Sequence, residues 1–461
     1  MFRNLLLFVI SVSVLSGYWK SQSMVEMRDG VKLHTNMYLP QPLEGSYPVI
    51  LLRTPYNADN IDGATGFIAY IVDVKGYILV VQDTRGRFKS EGIDSVFFDD
   101  GWRDGKWDGF DTVEWIAEQS WCNGNIGSYG GSALGITQYL MSATNPMALK
   151  CCFVAVAPWS MYHDCVMQGG EYREYDVDEW LKGQNSFYMK DYYLQYHPHY
   201  DEEWQHLDVS TRPDSVNVPI FHVGGWYDFF NPGNIRGFID LQFKGGEGAK
   251  GNQKLIVGPW VHSLGGNEAG EIEYPENAKV MFDTIYFKWF DRYLKGCDTG
   301  IEKDPPVRFY LMGPVDKVGQ WNKWIETDTF PPEIYEVPLF LGDNELLMNR
   351  PVSPYSLLSS EDTIIYDPRD PVPTIGGNNL ILPAGPYDWS ANLEREDVLV
   401  YTMEIKEDME FTGNVYLRLD VSSDRLDTDI TAFLHYIFLQ ELKIHPSQKY
   451  FYFLISKYHL L

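Results

Sequence analysis

Ser132 sits in the run Ile126-Gly127-Ser128-Tyr129-Gly130-Gly131-Ser132-Ala133-Leu134-Gly135, which reads as a buried strand, a sharp turn and the start of a helix. A serine at the apex of such a turn can serve as a nucleophile, but the turn strains the backbone and demands small neighbours. Gly130 and Gly131 precede Ser132, whereas Ile126 lies two before Ser128, so Ser132 is the candidate. Taken alone, a Gly/Ser-rich turn that opens a helix can be a plain N-cap. Two later segments separate the readings. The apolar run 218–225 ends at Trp226-Tyr227-Asp228, and the run starting at Lys254 ends at His262. A hydroxyl, a carboxylate and an imidazole, in that chain order and each just past a strand's carboxyl end, form the triad of acyl transfer on an open α/β sheet. Ser132 would attack an acyl carbonyl, His262 would carry the proton, and Asp228 would fix the imidazole tautomer. The N–H of Ala133, next after the nucleophile, would face the oxyanion.

These groups need a scaffold, and the pattern along the chain supplies one. Residues 25–39 alternate apolar and polar around Asp29-Gly30, as a hairpin does. Apolar runs at 49–52 and 78–82 read as central strands, and 108–116 reads as a helix with an acidic first turn. Alternating strands and helices indicate a mostly parallel sheet. Between 157 and 214 the chain turns aromatic and charged, with helical spacing and no strong strand. Residues 165–214 are therefore expected to form a helical cap, most of whose aromatics fill its own core while two or three face substrate. Beyond residue 300, short apolar stretches at 307–312, 335–341 and 398–404, separated by Pro and Gly turns, read as a β-sandwich.

Several motifs together carry a family resemblance. They are residues 25–40, Arg53-Thr54-Pro55-Tyr56, Gln82-Asp83-Thr84-Arg85-Gly86, Trp121-Cys122-Asn123-Gly124-Asn125-Ile126-Gly127, the Ser132 turn, Gly225-Trp226-Tyr227-Asp228 and Gly258-Pro259-Trp260-Val261-His262. In order and spacing the chain resembles the CocE/NonD serine hydrolases, the cocaine esterase and Xaa-Pro dipeptidyl-peptidase-like group that includes α-amino-acid ester hydrolases and glutaryl acylases. The resemblance implies an α/β fold: an α/β-hydrolase core over 24–164 and 215–300, the cap at 165–214, and a jelly-roll-like β-sandwich over 303–461. It also implies that the Tyr56 hydroxyl is the second oxyanion donor. Ala133 stands where the family often has an aromatic residue, a departure that bears on substrate preference because the backbone N–H is retained. The C-terminal resemblance includes residues 411–419 and Ser422-Ser423-Asp424 and runs through 427–432. Residues 436–461 are basic and aromatic with one acidic residue, Glu441, so the sandwich is expected to be incomplete.

Composition narrows the partners. A chain of 461 residues with 44% hydrophobic content can bury a large core, and its net charge of −27 argues against nucleic acid. The five cysteines lack metal-type spacing, and Cys151-Cys152 fall in an apolar run that reads as a buried strand. Asp99, Asp100, Asp104, Asp108 and Asp111 lack the spacing of a calcium loop and read as a solvated acidic loop with helix capping. His197-Pro198-His199 reads as a surface turn. Glu171, Glu174, Asp176, Asp178 and Glu179 could hold a substrate ammonium, although a solvated helix face is the default. No metal and no cofactor are expected. Arg3 followed by the apolar run 5–15 and Ser16-Gly17 reads as a signal peptide over 1–17, so a secreted or periplasmic protein is expected, with no membrane segment beyond it.

The expected activity is cleavage of an ester or amide bond in a small molecule or short peptide, through an acyl-serine. Release of Xaa-Pro dipeptides is the alternative, since it uses the same scaffold and triad. A catalytically inactive binding or scaffold protein would show a degraded triad, and here every part is present.

Overall fold

The computed structural model describes residues 17–333, 335–342, 346–348, 361–405, 409–426, 428–437 and 449–458. The expected signal segment, apart from Gly17, lies outside them.

Ten strands build the main sheet. They are β1 (Tyr18–Glu26), β2 (Lys32–Pro40), β3 (Tyr47–Thr54), β4 (Ile78–Asp83), β5 (Cys122–Gly131), β6 (Leu149–Ala155), β7 (Ile220–Gly225), β8 (Lys254–Gly258), β9 (Val307–Leu311) and β10 (Lys323–Thr327). Their spatial order is β1-β2-β4-β3-β5-β6-β7-β8-β9-β10, antiparallel at both ends and parallel from β4 through β9. The expected hairpin is β1–β2, with Glu26 opposite Lys32 across the Asp29-Gly30 turn. β4, β7 and β8 are buried at every residue, because helices cover both faces of a parallel sheet. One face packs under α1 (Asp108–Ala117), α2 (Ala133–Ser142) and, after the cap, α5 (Asn231–Lys244); the other packs under α6 (Phe282–Lys295).

Residues 165–214 carry α3 (Glu174–Gly183), α4 (Tyr188–Tyr196) and a one-turn helix at Glu202–Gln205. Arg87 ties this cap to the core: its guanidinium donates to Pro55 O, Asp94, Gln184 O and Ser186 Oγ at 2.7–3.1 Å.

Three expectations are corrected. The stretch at 307–312, expected in the sandwich, instead supplies β9 of the main sheet; it pairs parallel with β8, because Val307 and Phe309 are buried with Phe238, Leu255 and Val257. The acidic loop is not solvated at Asp99, Asp100 and Asp108, each at most 1% exposed and each ion-paired: Asp100 with Arg53 at 2.7 Å, Asp108 with Arg85 at 2.6 Å, and Asp99 with Arg103 and Lys106 at 3.0 Å. Residues 411–419 and 422–424, expected to mark the sandwich, carry no strand.

The C-terminal region instead forms a five-stranded sheet from β11 (Phe340–Gly342), β12 (Leu346–Met348), β13 (Val398–Ile405), β14 (Asp429–Ile437) and β15 (Lys449–Tyr458), in the order β11-β12-β13-β15-β14. Part of the basic, aromatic tail thus lies between two other strands. Among the described residues no second large sheet faces this one.

Candidate active site

Ser132 links β5 to α2 with φ 57° and ψ −127°, a left-handed conformation that costs a non-glycine residue about 1–3 kcal/mol. Its surroundings hold it there. The Ser132 N–H donates to Ala155 O at 2.9 Å, and Ser132 O accepts from Gly135 and Ile136 to start the helix. The glycine reading is explained at Gly130, which has φ 148° and where a Cβ would lie 2.4 Å from Leu134 Cβ. Ser128 is buried with its hydroxyl donating to Leu51 O at 3.1 Å, a structural role. As the first helical residue, Ala133 has an N–H without an intrahelical acceptor, and it lines the cavity beside Ser132.

Asp228 and His262 are brought together by the chain segments that come after β7 and β8. Trp226 N–H donates to Gly258 O at 2.8 Å and Tyr227 N–H to Trp260 O at 2.9 Å, so the two strand ends are stitched to each other. That approach leaves no room at Gly225, where a Cβ would fall 2.3 Å from Trp260 O. His262 Nδ1 then lies 2.5 Å from Asp228 Oδ2, and Phe230 N–H donates to Asp228 Oδ1 at 3.0 Å. Asp228 is fully buried, while the His262 side chain keeps 23% exposure. With Nδ1 committed to the carboxylate, Nε2 is the ring atom left for proton transfer. Phe229 and Phe230, which line the cavity with Ser132, place their rings 5.9 and 5.7 Å from the imidazole.

Tyr56 lies just past β3 and is half-buried. Its hydroxyl is close enough to Ser132 to feel its side chain, and it accepts from Trp180 Nε1 at 3.1 Å. Burial pushes the phenol pKa up, and the influence of Trp180 and Ser132 opposes it only in part, so the Tyr56 hydroxyl keeps its proton. A serine at a strained turn, an Asp-oriented imidazole and donors near the serine are the parts that acyl transfer calls for.

The cavity holds about 740 Å³ of open space including its mouth, and its walls are mostly apolar. Of the cap aromatics, Tyr172, Trp180, Tyr193 and Trp204 line it; Tyr175, Tyr188, Tyr192 and Tyr196 point outward. The sequence reading missed Phe97, Phe98, Phe229, Phe230 and Leu380 as wall residues. For Phe229 and Phe230 the signal was their place directly after Asp228; for Leu380 there was none.

The cap carboxylates are not a solvated face at Asp176 and Asp178, which are 5% and 6% exposed. Asp176 accepts from Arg173 Nε at 2.8 Å and from the N–H groups of Leu380 and Ile381 at 3.1 and 2.9 Å. Asp178 accepts from the Tyr172 hydroxyl at 2.6 Å and pairs with Lys190 at 2.7 Å; Glu179 pairs with Lys182. His197 bonds Asp201 at 2.7 Å within the cap. The cysteines are free, with Cys151 and Cys152 buried in β6 and their thiols pushed well up by desolvation.

Comparison with known proteins finds relatives along most of the chain. The X-Pro dipeptidyl-peptidase (S15 family) model matches residues 29–193 and 178–264, and the X-Pro dipeptidyl-peptidase C-terminal non-catalytic domain matches 299–439. A cocaine esterase of Rhodococcus sp. (strain MB1 Bresler) is 30% identical over 483 residues, covering 91% of this chain and 80% of its own length. Two crystal structures share the fold. An aminopeptidase from the marine sediment archaeon Thaumarchaeota archaeon aligns with a TM-score of 0.61 at 23% identity, over 84% of this chain and 72% of its own. A CocE/NonD family hydrolase from Staphylococcus aureus aligns at 0.58 and 24% identity, over 72% and 60%.

Proposed function

Because the chain belongs to the S15 family of X-Pro dipeptidyl-peptidases and related serine hydrolases, we propose that it uses Ser132, His262 and Asp228 to hydrolyse carboxylic esters that have an apolar acyl or alcohol part. Ser132 Oγ bonds to the acyl carbon as its proton passes to His262 Nε2, and the carbonyl electron pair moves onto an oxygen facing the Ala133 N–H and the Tyr56 hydroxyl. Collapse of the adduct breaks the ester bond, and the departing alcohol takes the proton from the imidazolium that Asp228 stabilises. Water then attacks the acyl-serine by the same route, releasing the carboxylic acid and restoring Ser132.

The observation that carries the ester reading over the dipeptidyl-peptidase one is the state of Asp176. A dipeptide's terminal ammonium needs a carboxylate free to receive it, and the carboxylate that lines this cavity is already taken by Arg173 and two backbone N–H groups. Amide hydrolysis through the same acyl-serine stays within the proposal, and the apolar walls favour small uncharged substrates.

Fluorophosphonate labelling together with a panel of aryl esters, aminoacyl esters, β-lactams and Xaa-Pro anilides tests this. Aryl esters are expected to turn over fastest, and Ser132→Ala to abolish labelling and lower kcat by roughly four orders of magnitude or more, with Ser128→Ala keeping most activity. Fastest cleavage of Xaa-Pro anilides would replace the ester reading with the peptidase one. Undiminished activity in Ser132→Ala would end both.

A further inference from the structure

Tyr56 and Trp180 are 124 residues apart, one on the core and one on cap helix α3, yet their polar atoms meet beside Ser132. A phenol can donate one hydrogen bond and accept two, whereas an indole N–H can only donate. Trp180 Nε1 at 3.1 Å therefore occupies a lone pair of the Tyr56 oxygen, and the phenol's single proton must point elsewhere. The two rings meet edge to face, with centroids 6.4 Å apart at 78°, and Phe97 also packs against the indole, with centroids 5.8 Å apart.

We propose that Trp180 is a positioning residue for catalysis: its indole N–H turns the Tyr56 hydroxyl toward the oxyanion and strengthens it as a donor. A hydroxyl that accepts a hydrogen bond becomes a better donor through its own proton, more so where water is excluded. Full negative charge appears on the oxyanion only in the tetrahedral state, so the benefit belongs in kcat and not in KM. The cap would then be part of the oxyanion site as well as a wall of the pocket. This inference rests on the acyl-serine reading of the site.

The test is a double-mutant cycle on an aryl ester. Trp180→Phe keeps an aromatic ring in the cap and removes the N–H. It is expected to lower kcat by about 3- to 10-fold with KM changed less than about twofold, the size of one strengthened hydrogen bond. Tyr56→Phe should cost on the order of 10²-fold, as loss of an oxyanion donor does, and adding Trp180→Phe to it should cost nothing further. Fluorophosphonate labelling gives a second readout on folded protein, because the adduct's oxygen occupies the oxyanion position; its rate should fall in parallel with kcat. If Trp180→Phe acts mainly on KM, or costs as much in the Tyr56→Phe background as in the parent, Trp180 is only a wall residue and the inference is overturned. Failure of the wider reading looks different, since Tyr56→Phe and Ser132→Ala would then leave the rate intact.

Discussion

Two histidines, one within β7 and one just past β8, sit in opposite environments. His262 keeps some exposure and leans on Asp228, whereas His222, within β7, is fully buried between the Tyr139 hydroxyl at 2.6 Å and Gln253 Oε1 at 3.2 Å. Burial pushes the His222 imidazole down to about 3, against a smaller opposing effect from Gln253, so it stays neutral in the folded protein. In the unfolded chain it takes up a proton below roughly pH 6.5, so as pH falls from there toward 3 it draws stability out of the fold, by about 1.4 kcal/mol per pH unit at the limit. His222→Gln should therefore show a shallower loss of urea-unfolding free energy between pH 6 and 4 than the parent; parallel losses would place the acid sensitivity in other groups. Placements declared by near neighbours, the strained turn at Ser132 and the meeting of Asp228 with His262, were legible from sequence. Ser132 was marked by its glycines and Asp228 and His262 by the strands before them. The Trp180 bond to Tyr56 was not, since nothing near position 180 marks a contact 124 residues away.

The loop between β4 and α1 shows why element assignments succeeded more often than element environments. Strands β3 and β4 and helix α1 were expected close to where they lie, because hydrophobic period and capping are local signals. Asp100 and Asp108 were misread because their partners are distant in sequence: Arg53, within β3, is 47 residues before Asp100, and Arg85 comes after β4, 23 before Asp108. Arg53 also donates to Thr112 on α1 at 2.7 Å and to Gln82 on β4, so one buried side chain ties two strands, a loop and a helix. That loop also supplies Phe97 and Phe98 to the cavity wall. Asp100→Ala strands the Arg53 charge in a dry site and should destabilise the protein by about 3–5 kcal/mol in denaturant unfolding. The double variant Arg53→Met with Asp100→Leu should recover much of that loss. Equal loss in single and double variants would mean that the pair's geometry, and not the orphaned charge, is what the fold needs. The misassigned β9 has the same origin, since only its burial on Phe238 and Val257 distinguishes it from a sandwich strand.

At the scale of the whole molecule, protection is uneven. The main sheet is paired along its length and covered on both faces, whereas residues 409–426 are described without a strand, with Tyr416 79% and Val421 62% exposed. Backbone that lacks ladder hydrogen bonds and packing opens to proteases first. Trypsin should accordingly cut after Arg418 and Arg425 before any site between 18 and 327, as read by mass spectrometry of early digests; early cuts in the main sheet would contradict this ordering. Several contacts join the two parts of the chain, among them Glu271 N–H donating to Pro386 O at 2.9 Å. Asp176 holds the backbone of Leu380 and Ile381, and Arg173 reaches Asn378 O, so a segment of the C-terminal half is fastened to the cap at the rim of the pocket. The seam between the two halves thus runs along the cavity next to Ser132, which Asp176 and Leu380 both line. Swapping the C-terminal half between relatives to gain solubility or heat tolerance would also exchange Leu380 in the wall of that cavity. A graft that is meant to preserve selectivity has to carry residues 173–176 and 378–381 as a matched set.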